Sequence, residues 1–144
     1  MGTVQRQGCH AACHRRAVTR SRTEIGARAE SLAADHLVAR GLVPIARNYR
    51  TKAGEIDLIM RHDATLVFVE VRYRSRTLHG SPEETIDARK RRRIVRAAAY
   101  YLTTLAVVPD CRFDVVSIVG DRPGEHSCEW LQAAFDTSDS TWRG

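Results

Sequence analysis

Two acidic motifs stand close together in the chain: Gly54-Glu55-Ile56-Asp57 and Val69-Glu70-Val71-Arg72. The second lies inside Leu66–Arg72, a nearly continuous apolar run that reads as a central strand covered on both faces. Side chains alternate along a strand, so Phe68, Glu70 and Arg72 share one face and Val67, Val69 and Val71 the other. Glu70 is therefore a carboxylate in a strand that otherwise looks buried, and a lone buried carboxylate is costly without a partner. The polar stretch His62-Asp63-Ala64-Thr65 is short enough for a hairpin. A turn centred on Asp63-Ala64 sets Asp57 opposite Glu70, with β-carbons about 4.5–5.5 Å apart. Two opposed carboxylates repel unless something positive lies between them. One solution is an ion-pair cluster with Arg72, Arg74 or Lys90. The other is a divalent cation; Mg²⁺ typically takes one or two carboxylates and keeps several waters. Such a site can activate water and polarise a phosphodiester. The spacing alone leaves both solutions open.

Other residues converge on the same region. Lys90 falls between Ile86 and Ile94 at four-residue steps, on the stripe of a helix that should face the sheet. It can neutralise the acids or bind phosphate, or it can snorkel at the edge of the stripe. Glu30 lies on a narrow line with Gly26 and Ala34, where a carboxylate can reach a neighbouring sheet or simply be solvated. Arg89 to Arg93 form an unbroken basic run, and Arg89, Arg92 and Arg96 project to one side of a helix. That arrangement suits phosphate-backbone contact, although a solvated surface face has the same pattern.

These residues need elements to position them. Ser21-Arg22-Thr23-Glu24 has the form of a capping box, which starts a helix whose apolar stripe is Ile25, Ala29, Leu32, Ala33, His36 and Leu37. Gly41 is a C-terminal stop. Strands are predicted over Leu42–Tyr49, Glu55–Arg61 and Leu66–Arg74, with Pro44 marking the first as an edge or a strand start. Ser81-Pro82-Glu83-Glu84 predicts the start of a second helix that runs to about Leu105, with a stripe of Ile86, Ile94, Ala97, Ala98, Tyr101 and Leu102. Arg112–Val119 is a strand, Gly120–Gly124 a turn and Glu129–Ala133 a short last strand. The order is α-β-β-β-α-β-β. The first three strands form an antiparallel meander, and the second helix is long enough to cross over before the fourth strand. The expectation is an α/β domain with a mixed sheet flanked by helices.

Bulk composition sets the outer limits. The chain has 144 residues, enough for one core, and a formal net charge of +6. Its basic residues are nearly all arginine; Lys52 and Lys90 are the lysines. The positive balance favours an anionic partner, nucleic acid before membrane surface. No apolar run approaches the roughly 20 residues of a membrane helix, and the basic N-terminus lacks the apolar stretch of a secretory signal. The expected location is the cytoplasm, without membrane contact. Residues 1–20 read as a disordered basic extension, 21–136 as the folded domain and 137–144 as a flexible tail. Within the extension, Cys9, His10, Cys13 and His14 offer soft ligands, but their spacing departs from a zinc knuckle and from a c-type haem attachment, so the cluster reads as adventitious. Cys111 and Cys128 flank strand-like segments and read as small buried hydrophobes.

Taken together, Gly54-Glu55-Ile56-Asp57-Leu58-Ile59 and Val67-Phe68-Val69-Glu70-Val71-Arg72 resemble the signature of the uncharacterised bacterial YraN family. Gly26 through Glu30, Asn48-Tyr49-Arg50, Gly80-Ser81-Pro82, Lys90-Arg91-Arg92-Arg93-Ile94, Arg112-Phe113-Asp114-Val115-Val116 and Ala133-Ala134-Phe135 fit in order, covering roughly residues 23–135. The resemblance implies a restriction-endonuclease-like α-β-β-β-α-β core, related to archaeal Holliday junction resolvases within the PD-(D/E)xK nuclease superfamily. Carried over, Asp57 and Glu70 take the metal-binding acid positions, with Glu30 the acid offered by the first helix. Arg72 falls where the superfamily's catalytic lysine is usual. Lys90, Arg89, Arg92, Arg96 and Arg74 are the candidate nucleic-acid contacts. The implied reaction is Mg²⁺- or Mn²⁺-dependent hydrolysis of a DNA phosphodiester, with a homodimer carried over from resolvases that cut paired strands. Arginine keeps the positive charge but is bulkier and cannot lose its proton, so Arg72 also suits a chain that binds without cutting. A non-catalytic nucleic-acid-binding module and a structural domain with a neutralised acidic cluster are the competing readings.

Overall fold

A computed structural model describes residues 21–74, 86–122 and 124–139. Helix α1 spans Arg22–Val38, and Ser21 caps it in the reciprocal arrangement the sequence predicts. The Ser21 hydroxyl accepts from the Glu24 N–H and the Glu24 carboxylate accepts from the Ser21 N–H. The chain then reverses at Gly41, whose φ of 92° suits a residue without a β-carbon, and the Leu42 N–H donates to the Leu37 carbonyl. Strands β1 (Val43–Arg50), β2 (Glu55–His62) and β3 (Thr65–Arg74) form the meander. Helix α2 (Ala88–Leu102) crosses to β4 (Cys111–Arg122), which is parallel to β3, and β5 (Glu125–Phe135) returns antiparallel. A 3-10 turn, Thr137–Asp139, follows.

The sheet order is β1-β2-β3-β4-β5, so the apolar β3 is the middle strand. Alternation sorts its side chains onto two cores. Val67 and Val69 join Leu58, Met60, Val116 and Ile118 beneath α1, which meets them through Ala29, Ala33, Ala34 and Leu37. Leu66 and Phe68 join Ile56, Ile59, Phe113 and Val115 beneath α2, which supplies Ile94, Val95, Ala97 and Ala98. Phe68, Phe113 and Phe135 stack across this second face, with ring centroids 5.4 and 5.0 Å apart. The fold is thus an α/β mixed sheet with a helix on each face, consistent with a restriction-endonuclease-like core. Pro44 does lie in an edge strand, beside an irregularity in the β1–β2 pairing.

Four expectations change. The Ser81 helix start lies outside the described residues; Ile86 and Asp87 are not helical, and α2 begins at Ala88 with the Asp87 carboxylate accepting from the Lys90 N–H at 2.8 Å. The last two strands run further than predicted, because β4 continues through Gly120 and pairs back almost to the turn. The α1 stripe runs through Ala34, while Ile25 and Leu32 stay partly exposed. Cys111 is exposed and Cys128 half-buried, rather than core residues.

Candidate metal-binding and nucleic-acid site

The β2–β3 ladder runs from His62 opposite Thr65 to Leu58 opposite Val69, which is the register of a turn at Asp63-Ala64. One step beyond its end stand Asp57 and Glu70. Here the strands part, and the Asp57 side chain takes over a backbone role: its Oδ2 accepts the Val71 N–H at 2.8 Å. Strict alternation would put Ile56 and Ile59 on opposite faces, yet both pack beneath α2, so the pleat of β2 is interrupted at Asp57. Its neighbour across the β1–β2 pairing is Asn48, flanked by the pairs Arg47–Leu58 and Tyr49–Ile56. Asn48 has φ 50°, a left-handed conformation that asparagine tolerates better than most residues. Local irregularities of this kind re-aim side chains next to active sites.

Glu70 is only 7 % exposed. Lys90 reaches it from α2, with Nζ 3.2 Å from Oε1, as its place on the sheet-facing stripe predicts. The other carboxylate oxygen, Oε2, is buried without a hydrogen-bond partner. Burial, then the neighbouring Asp57 charge, pushes the Glu70 carboxyl up to about 8; the Lys90 ammonium offsets only part of this. Burial also raises Asp57 above the usual aspartate range, against the opposing pull of the Val71 N–H, Glu70 and Lys90. The two acids titrate as a pair, and near neutral pH Glu70 keeps its proton. That proton is shared across a side-chain hydrogen bond between Glu70 and Asp57, and the one negative charge left on the pair faces the Lys90 ammonium. The donor set fits a hard divalent cation, which oxygen ligands hold and whose binding would displace the proton.

Lys90 is placed by a backbone contact far from its own side chain. Gly54, in the turn between β1 and β2, is buried against α2: a β-carbon there would lie 2.5 Å from the Arg93 carbonyl oxygen. Thr51 shapes that turn, its Oγ1 donating to the Gly54 carbonyl and accepting from the Ala53 and Gly54 N–H groups. The glycine of Gly54-Glu55-Ile56-Asp57 therefore lets α2 approach the sheet closely enough for Lys90 to meet Glu70.

Glu30 stands apart. It is half-buried on α1, and its Oε2 accepts from Asn48 Nδ2 at 2.9 Å. Among the described residues, no group of three or more His, Cys, Asp or Glu side chains is gathered to hold a metal, so Glu30 is not drawn into one cluster with Asp57 and Glu70. Arg72 is half-buried two positions beyond Glu70 on β3, beside Ser117 of β4, and Arg74 follows beside Val119. Arg89, Arg92, Arg93 and Arg96 are exposed on the outer side of α2. The Cys9, His10, Cys13 and His14 cluster lies outside the described residues.

Two residues that the sequence offers only as parts of the family resemblance, without a role, belong to the site's surroundings. Asn48 ties Glu30 to the position beside Asp57; its signal was an asparagine inside a predicted strand. Asp114 is fully buried on β4, where it accepts from Arg112 Nε at 2.8 Å, Arg112 Nη2 at 3.0 Å, Trp130 Nε1 at 2.9 Å and the Ala133 N–H at 3.0 Å. Ala133 sits at a bulge in β5 with φ 50°, so Asp114 satisfies backbone that the ladder leaves out. Unlike Glu70, it has donors on both oxygens and is structural.

The sequence profile of the uncharacterised protein family UPF0102 matches residues 29–118, a span containing both acid motifs, α2 and most of β4. The chain belongs to the UPF0102 family. The YraN family resembled by the acid motifs is this same family. A UPF0102 protein of Cupriavidus taiwanensis is 56% identical over 117 residues, covering 81% of this chain and 86% of the relative. One from Polaromonas naphthalenivorans is 50% identical over 139 residues, covering 91% and 89%. One from Aeromonas hydrophila is 50% identical over 109 residues, covering 74% and 80%. The similarity to the Polaromonas relative covers 91% of this UPF0102 chain, beyond the span that the family profile matches.

Proposed function

We propose that this UPF0102 protein is a divalent-metal-dependent nuclease of the cytoplasm that acts on DNA phosphodiesters, of the structure-selective, resolvase-like kind. The observation that carries the reading is the buried Asp57–Glu70 acid pair, which the Lys90 ammonium meets through Glu70 Oε1 alone. Asp57 and Glu70 would hold Mg²⁺ or Mn²⁺, and Glu30 could join through a side-chain rotation that releases Asn48. The ion would supply polarisation of the phosphoryl oxygen and a lowered pKa for a bound water. The protein's own groups do the rest. Lys90 limits the charge that builds up between the acids. The Val71 N–H orients the Asp57 carboxylate. Arg72 offers a guanidinium to a phosphate gaining charge, but it remains protonated and cannot accept a proton from the attacking water.

That last property favours a second reading, a non-catalytic nucleic-acid-binding module that uses Lys90, Arg74, Arg89, Arg92 and Arg96. One experiment separates the two. Purified protein, wild type and Arg72→Lys, is incubated with Mn²⁺ and linear, nicked and branched DNA. Cleavage that disappears in Asp57→Asn and Glu70→Gln supports the nuclease. Binding without cleavage by either protein, unchanged by chelator, leaves the module. Sedimentation in the same buffers tests the homodimer that paired cuts would need.

No helix among the described residues is long and apolar enough to cross a membrane.

A further inference from the structure

The outer face of α2 carries more than charge. Arg89, Arg92, Arg93, Arg96 and Tyr100 recur at three- and four-residue steps, so they form one stripe opposite the buried Ile94, Ala97 and Ala98. The stripe is about 16 Å long from Arg89 to Tyr100 at the rise of an α-helix. Among the described residues, no ion pair involves any of the four arginines, and Tyr100 is 57 % exposed, one turn beyond Arg96. A large exposed aromatic ring at the end of an arginine row is poorly explained by folding, since it contributes nothing to the core beneath the helix.

The Gly54 contact extends this stripe sideways. Because Gly54 lies against the Arg93 backbone, the β1–β2 turn stands beside the middle of the helix, and this turn carries the exposed Lys52. The stripe also has a direction. Its N-terminal end lies next to Lys90, which points inward to Glu70, and its C-terminal end is Tyr100. Phosphates and a base are the groups that this order of cations and an aromatic face can receive.

We infer that the outer face of α2 is a track for single-stranded nucleic acid, with Arg89, Arg92, Arg93, Arg96 and Lys52 on successive phosphates and the Tyr100 ring stacked on an unpaired base. The inference rests on the nucleic-acid reading of the site and specifies its substrate class: a strand with an unpaired stretch, leading to Asp57 and Glu70. In a continuous duplex both faces of every base are already stacked, so Tyr100 would have nothing to cover. The arginines would still bind duplex phosphates. Strand selectivity is therefore a property of Tyr100, while overall affinity and its salt dependence belong to the cations.

Fluorescence anisotropy with short labelled single-stranded DNA, single-stranded RNA and duplex DNA, in chelator so that nothing is cut, tests this. Stacking on one base corresponds to roughly a five- to hundredfold change in affinity. Tyr100→Ala should lose that factor for single strands and little for duplex, and Tyr100→Phe should retain single-strand affinity. Arg93→Ala and Lys52→Ala should each weaken both forms and flatten the salt dependence. Whether the DNA or RNA strand shows the larger Tyr100 effect identifies the natural strand. Unchanged single-strand binding in Tyr100→Ala, or an equal loss on duplex, overturns the track. Because the assay contains no metal, it succeeds or fails independently of cleavage: a Tyr100-dependent binder that never cuts DNA would retain the track and lose the nuclease.

Discussion

Lys90 and Glu70 meet through only one of the two carboxylate oxygens: Nζ stands 3.2 Å from Oε1, and Oε2 is left buried and unpaired. The contact neutralises too little to offset burial, which is why the Glu70 carboxyl rises to about 8. A carboxylate stabilised for folding would look like Asp114, with donors on both oxygens. This contrast within one sheet is what the proposed divalent-cation site rests on.

Stability should fall as pH rises. Below the ordinary glutamate value of 4.5, Glu70 is protonated in both the folded and unfolded chains and its burial carries no ionic penalty. Between 4.5 and about 8 the unfolded chain loses the proton while the folded one keeps it, so folding becomes less favourable, and the penalty is complete above about 8. Asp57, also raised, acts in the same direction. Thermal melts across this range should show a declining Tm that flattens in Glu70→Gln.

Divalent cations should reverse that decline. Mg²⁺ or Mn²⁺ bound by the folded chain raises Tm by mass action, and the gain should grow with pH because binding releases the Glu70 proton. Calorimetry in buffers of different ionisation heat would report that proton. An unchanged Tm in the presence of either ion, or a gain that survives Asp57→Asn, would remove the acid pair as the binding site.

Lys90→Met should destabilise most where Glu70 is ionised. The loss should lie between the surface and buried ion-pair limits, about 1–3 kcal/mol above pH 8, and be smaller in mild acid. Urea unfolding at the two pH values measures the difference. An equal loss at both would mean that Lys90 acts through packing.

Gly54→Ala should behave as a core mutation although it sits in a turn. Its new methyl would meet the Arg93 carbonyl at 2.5 Å and push α2 away, at a cost of about 1–3 kcal/mol. Divalent-ion affinity should rise, since displacing α2 takes a competing ammonium, Lys90, away from Glu70. Urea unfolding and calorimetry give the two readings.

Asp114→Asn should be the most damaging of these changes, at about 3–5 kcal/mol, because it leaves the Arg112 guanidinium without its buried counter-charge. It should leave any metal affinity per folded molecule unchanged, since Asp114 lies on the α1 side of the sheet and Glu70 on the α2 side. Loss of metal binding by fully folded protein would contradict that separation.

Much of this arrangement was legible in the sequence for local reasons. Period-two alternation in Leu66–Arg72 and a two-residue turn at Asp63-Ala64 determine the faces of β3 and the β2–β3 register as far as Leu58 opposite Val69, and a capping box at Ser21 starts α1; the interrupted pleat at Asp57 has no such local signal. Lys90 was legible because helical spacing alone puts it in line with Ile86 and Ile94. What stayed hidden depends on contacts between distant segments. Asp114 requires Trp130 and Ala133 of another strand, and Asn48 matters only because Glu30 arrives from α1. Ser81-Pro82-Glu83-Glu84 is a stronger local start signal than Asp87, yet Asp87 makes the cap of α2. The extent of β5 was underestimated because its exposed polar residues hide a strand whose pairing partner is β4.

The turn at Asp63-Ala64 has a consequence for how this chain can change. Surface hairpin tips are ordinarily the most permissive places in a protein for added or lost residues. Here the His62–Thr65 closure sets the step at which β3 passes β2, and a slip of one position would carry Glu70 to the α1 side, away from Lys90 and out of line with Asp57. The tip acts as a length gauge: substitutions there are cheap, but a single inserted residue would dismantle a site some five residues away while leaving both strands intact.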